Sequence, residues 1–152
     1  MEINSNEELI ETIGELFLWD VIDDYISTDV KNIKEAISNL AYIEKDDIDK
    51  ITSAEVQDSE EFVITQFSAK ERTLTIKFEM PSIIIAESGN EDVCFRITTV
   101  CTGTIEIPDI DSYDWCSPKF EDMNRMEILS YKELVKIIAV CYEDNEVDDL
   151  TA

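Results

Sequence analysis

"RTLTIKFEM", residues 72–80, decides the fold class. Leu74, Ile76 and Phe78 alternate with Thr73, Thr75, Lys77 and Glu79. Successive side chains of a strand point to opposite faces, so this stretch predicts a strand with one buried and one wet face. Its neighbours follow suit. "EEFVITQF" (60–67) precedes it across the polar "SAKE", which predicts a hairpin. "SIIIAES" (82–88) after Pro81 predicts a short apolar strand. "GN" at 89–90 turns into "EDVCFRITTV", where Val93, Phe95 and Ile97 alternate with Cys94, Arg96 and Thr98. "CTGTIEIP" (101–108) extends or bends that strand, with Gly103 marking a bulge.

On either side the apolar period becomes helical. Ser5 and Glu8 have capping-box spacing, and Leu9, Ile10, Ile13, Leu16 and Phe17 follow on one helical stripe. Gly14 interrupts it at modest cost. "LWDVIDDYIS" (18–27) continues that helix or begins another. A further helix places Thr28 or Asp29 at its cap and Val30, Ile33, Ile37 and Leu40 inward. Near the other end, Ser117-Pro118 pairs an N-cap with proline at the first helical position. Ser130 and Glu133 form a second capping box, with Leu134, Val135, Ile137, Ile138 and Cys141 as the buried face of a helix over 131–142. The acidic tail "EDNEVDDLTA" (143–152) is expected to fray.

The order of elements is α+β: N-terminal helices, a central antiparallel meander sheet of about four to six strands, and a C-terminal helix packed on one face. Length predicts a single acidic domain over 1–142, with helices in 5–41, the sheet in 50–107 and helices in 118–142. Hydrophobic residues at 44% suffice for a core, and 3 Gly with 3 Pro leave little room for linkers.

Charge is the strongest compositional signal. There are 36 acidic and 12 basic residues, net −24, where about 2–8 charges keep a small domain soluble. Residues 1–60 hold 17 acidic and 4 basic, 61–100 hold 6 and 4, and 101–152 hold 13 and 4. Such self-repulsion destabilises a compact chain. It also disfavours direct contact with nucleic-acid phosphates or anionic membranes. A basic protein is the favoured partner, and nucleic-acid-binding proteins carry the commonest strongly basic surfaces.

The start, "MEINSNEELIE", lacks the basic region of a secretory signal, and no apolar run approaches membrane-spanning length. The expected location is the cytoplasm, with Cys94, Cys101, Cys116 and Cys141 as reduced thiols without a CxxC pair. Histidine is absent, which removes Ser-His-Asp and Cys-His catalysis and His-based metal sites.

Carboxylate chemistry remains to be tested. In "IPDIDSYDWCSP" (107–118), Asp109 and Asp111 fit positions 1 and 3 of an EF-hand loop. Tyr113 then takes position 5, Asp114 the glycine position, and Phe120 the glutamate position, so the motif fails. Pro108-Asp109 resembles the start of a PD-(D/E)xK nuclease motif, but no Asp/Glu-x-Lys follows it. Asp46, Asp47 and Asp49 have no Gly-rich phosphate loop beside them. With 36 acidic residues, paired carboxylates arise by chance and do not by themselves signal glycoside chemistry. No enzymatic activity, cofactor or metal is expected.

Recognition is the remaining chemistry. Tyr and Trp are frequent interface anchors, and a nearby carboxylate can pair with Lys or Arg. Trp19 sits in an apolar run and reads as core. The expected partner-binding residues are Asp109, Asp111, Tyr113, Asp114 and Trp115, with Asp46, Asp47 and Asp49. The expected function is a small acidic inhibitor of the immunity or antitoxin kind, occluding the active site of a basic toxin such as a nuclease. In size and composition the chain is similar to small acidic immunity proteins, a resemblance of properties that carries over no residue. The alternatives are a phage-type DNA mimic acting on restriction or CRISPR machinery, with Glu7, Glu8, Glu11 and Glu15 as one acidic row, and a structural or oligomerisation domain.

Overall fold

A computed structural model of the chain describes residues 5, 8–9, 13–90, 92–110, 115 and 123–151. Among these residues there are four helices, α1 (Glu15–Thr28), α2 (Val30–Ile37), α3 (Lys45–Asp49) and α4 (Arg125–Lys132). The five strands are β1 (Ser53–Ser59), β2 (Val63–Lys70), β3 (Thr73–Glu87), β4 (Cys94–Ile107) and β5 (Lys136–Asp149). They form one antiparallel sheet in the order β1-β3-β4-β5, with β2 also paired to β3. The class is α+β, as the alternation around residue 76 predicts. No helix of the described residues is long and apolar enough to cross a membrane.

The chain forms two compact units. The first comprises Met1–Ile22, Val63–Phe78 and Gly103–Val140, and the second Asp23–Phe62, Glu79–Thr102 and Cys141–Ala152.

In the first unit, Ser5 Oγ accepts the Glu8 N–H at 3.2 Å, as the capping spacing predicts. Gly14 does more than weaken a helix: its φ of 96° breaks the helical run. Only glycine adopts that backbone without strain, and its carbonyl then accepts from Leu18 N as α1 begins. The β2–β3 turn falls at Glu71-Arg72, the last residue of "SAKE" and the one after it. Both residues have positive φ, 53° and 66°, the geometry whose twist matches a two-residue hairpin. Neither is the usual Asn or Gly, which is why the turn is silent in the sequence. The Arg72 carbonyl is held by Ile110 N at 3.0 Å.

In the second unit β3 runs straight through Pro81. The reason lies opposite it. Glu60, Glu61 and Phe62 interrupt the edge between β1 and β2, and the Pro81 carbonyl accepts from Glu60 N at 2.8 Å. A proline lacking its N–H is tolerated where the partner strand breaks.

The C-terminal expectation needs the largest correction. Residues 118–122 lie outside the described residues, and the helix is short. Its cap is Asn124, whose side chain accepts from Glu127 N and donates to Glu127 Oε1. Ser130 lies inside α4, donating to the Glu127 carbonyl, and Glu133 is the C-cap. From Lys136 the chain is strand, so the helix over 131–142 and the frayed tail over 143–152 are both overturned. The run "KIIAV" is β-branched, and a short apolar run fits helix and strand equally by period. The acidic half is held by β4: Leu150 N donates to the Cys94 carbonyl at 2.8 Å, and Arg96 meets Asp148 at 2.9 Å. Val140 is buried and Tyr142 half-buried, then Asn145 half-buried and Val147 buried. The change of parity occurs at Asp144, whose φ of 54° makes it a bulge.

Candidate partner-binding surface

The predicted residues do not assemble into one site. Asp109 is exposed at the turn after β4, with φ 51°. Asp111, Tyr113 and Asp114 lie outside the described residues. Trp115 is only 4% exposed and stacks edge-on against Phe17 and Tyr131, at 5.7 and 5.0 Å between ring centroids. It is a core residue of the first unit, which corrects its assignment to an interface. Asp46 and Asp49 are exposed on α3 in the second unit, and Asp47 faces Lys50 at 4.0 Å.

A different surface emerges on the second unit. Along β3, Met80, Ser82, Ile84 and Ala86 are buried, and Pro81, Ile83 and Ile85 on the opposite face are half-buried. The first half of the strand puts Thr, Lys and Glu at such outward positions. Beyond Pro81 they are aliphatic. On β4 the outward residues are Arg96, Thr98 and Val100. The register pairs Glu55 with Ile85 and Asp58 with Ile83, and directly paired residues share a face. The irregularity at Gln57, between Val56 and Asp58, keeps Asp58 outward and turns Ser59 inward to meet Ser82 at 3.2 Å.

The result is an aliphatic floor between two acidic rims. Asp58 and Glu60 stand on one side and Asp144 on the other, around a cleft of about 170 Å³ over Pro81, Ile83 and Val100. Ser59, Ser82, Thr98 and Thr99 complete its lining. Thr99 Oγ1 donates to the Glu143 carbonyl at 3.1 Å, which ties β5 down beside the cleft. Glu143, Glu146 and Asp148 are exposed along the same edge strand. Strand addition at that edge is blocked where the Tyr42 hydroxyl accepts from Val147 N at 3.2 Å. The second unit carries 21 acidic and 5 basic residues, the first 15 and 7.

Behind the sheet lies a buried polar cluster that sequence reading missed. Asp29 is 9% exposed, and its carboxylate accepts from Tyr142 OH at 2.8 Å and Asn32 Nδ2 at 2.7 Å. It is the N-cap of α2 but spends its oxygens on side chains, not on backbone N–H groups. Burial, and then the Asp29 carboxylate, push the Tyr142 hydroxyl well above its ordinary range. Burial also pushes the Cys101 thiol up to about 12, with Ser82 opposing and Asp23 and Asp29 adding to the rise. A buried thiol held protonated at neutral pH is no nucleophile. Among the described residues no group of three Asp, Glu or Cys side chains could hold a metal.

These shifts contribute to a loss of stability at alkaline pH. An unfolded cysteine ionises near 9.0 and an unfolded tyrosine near 10.0, while folded Cys101 and Tyr142 keep their protons to higher pH. The unfolded state then binds fewer protons than the folded one, so stability is full below pH 9 and falls above it. The slope is at most about 1.4 kcal/mol per pH unit for each group. Melting temperatures taken from pH 7 to 11 should show this fall, and Cys101→Val should delay its onset toward pH 10.

Comparison of the chain with family models, curated proteins and solved structures finds no match.

Proposed function

We propose that this protein is a non-catalytic inhibitor of the immunity or antitoxin kind. It captures a basic protein, with a nuclease toxin as the leading class, on the open sheet face of its second unit. The observation that carries this reading is the aliphatic floor set between carboxylate rims. Lys and Arg side chains have apolar stems and charged heads. The floor of Pro81, Ile83 and Val100 suits the stems, and Asp58, Glu60 and Asp144 suit the heads. Arginine gains most, because a guanidinium can engage a carboxylate through two parallel hydrogen bonds. The surrounding charge steers a basic partner and speeds its encounter. Neither nucleic acid nor membrane is a direct partner in this reading, and the setting is cytoplasmic.

The test is binding to a basic protein captured with the chain, measured at two salt concentrations. Exposed charge pairs contribute about 0.2–1 kcal/mol each. The triple variant Asp58→Asn, Glu60→Gln, Asp144→Asn should therefore weaken binding by about thirtyfold, and its affinity should depend less on salt. Asp46→Asn with Asp49→Asn, away from the floor, should change it by less than about threefold. A triple variant that binds like the parent would overturn the assignment of this face. Displacement of the partner by duplex DNA, with loss spread evenly over all acidic clusters, would support a DNA mimic instead.

A further inference from the structure

We propose that the groove between α2 and α3 is a binding site for a small organic anion with an apolar body. This stands apart from the partner-binding face and does not rest on it.

The groove is open to solvent and has a volume of about 390 Å³, within the size range of small-molecule pockets, which pair apolar walls with a few placed polar groups. Val30, Lys31, Lys34 and Glu35 line it from α2, and Lys45 and Ile48 from α3, with Asp49 beside them. Three of the chain's 12 basic residues thus gather around one groove. Among the described residues, Lys31, Lys34 and Lys45 are in no ion pair, so no carboxylate of the chain is bound to their ammonium groups.

Lys34 shows how the site is held. Its ammonium donates to the carbonyls of Asp49 and Ile51, at 3.2 and 3.1 Å, and so closes the C-terminal end of α3. An ammonium has three donors, and one remains. Lys31 and Lys45 are exposed and make no side-chain hydrogen bond. Val30 is half-buried and Ile48 only 4% exposed, so the floor between the charges is apolar.

The surroundings set the ligand's size. Beyond roughly 8 Å, charges are screened at physiological salt, so the three ammonium groups govern a small ion within the groove. A polyanion reaching further would meet the rest of the acidic unit. Glu35 and Asp49 on the lining favour a single anionic head, as of a carboxylate or a phosphate monoester, with its apolar body along Val30 and Ile48.

The test is an amide chemical-shift titration of the full chain with octanoate, 1-octanol and octylammonium. Octanoate should shift amides of residues 30–38 and 45–49. The neutral and cationic analogues should bind at least about tenfold more weakly. Lys31→Gln with Lys45→Gln should weaken octanoate by about tenfold and leave the melting temperature unchanged. Glu35→Gln should tighten it. Three results would each overturn the proposal: octanol binding as well as octanoate, an affinity insensitive to the lysine pair, or shifts absent from these two helices.

Discussion

Replacing Trp115 with alanine should remove about 4 kcal/mol of folding stability. The indole is 4% exposed between Phe17 and Tyr131, and both ring pairs meet edge to face. Such pairs add to the burial of a large apolar surface. Alanine would leave a cavity that two other aromatic rings can only partly close. A domain of this kind has about 5–15 kcal/mol in total, so the variant would stand near its folding limit. Urea denaturation followed by the fluorescence of Trp19, the other tryptophan of the chain, measures the loss directly. The same experiment separates two roles. A core Trp115 lowers the midpoint and leaves the affinity of the folded fraction for a basic partner intact. An interface Trp115 would leave the midpoint alone and abolish binding.

Gly103→Ala should cost about 3 kcal/mol, at the upper end for overpacking. The glycine lies on β4 within the first unit, and its missing side chain is what lets two neighbours approach. A Cβ there would collide with the backbone carbonyl of Ala139 on β5. It would also lie 2.9 Å from Cε1 and Cζ of the Phe78 ring on β3. Phe78 is 1% exposed, so its ring has nowhere to turn. The Ala139 carbonyl cannot retreat without opening the ladder. Gly89→Ala is the matched control. There the added methyl meets Thr52 Oγ1 at 3.6 Å, an ordinary contact, and the change should stay under about 1 kcal/mol. A Gly103 variant as stable as the Gly89 variant would show that β5 is not packed against β4 as described. Sequence reading places a bulge at Gly103, but the strand continues unbroken and the glycine serves close approach.

Both predictions rest on contacts between residues far apart in the chain, and there the sequence is least legible. Trp115 lies in a polar stretch rich in aspartate, which reads as a surface loop. Nothing local announces that Phe17, nearly a hundred positions earlier, packs against it. The floor of the proposed face was partly visible. Outward positions that change from Thr, Lys and Glu to Pro, Ile and Ile along β3 signal that the wet face has stopped being wet. Pro81 reads as a break, so "SIIIAES" reads as a separate short strand and the change is hidden. The rims were not visible, since any of 36 acidic residues could have stood there. Only the register of β1 on β3 and the bulge at Asp144 bring Asp58, Glu60 and Asp144 around one cleft.

By itself the sequence determined the α+β class, the central antiparallel strands and the charge that makes a basic partner favourable. Each follows from local period or from composition, which need no knowledge of what lies across the fold. Tertiary structure decided the rest. "KIIAVCYEDNEVDD" fits a helix by spacing and a frayed tail by charge. It is an edge strand because β4 offers it a ladder that an isolated segment lacks. Asp29 is the helix cap that its position predicts, but one carboxylate oxygen is taken by Tyr142, over a hundred positions away, and not by a backbone N–H of the helix. In each case a partner distant in sequence supplies the hydrogen bond or the packing surface, and that contribution outweighs the local preference.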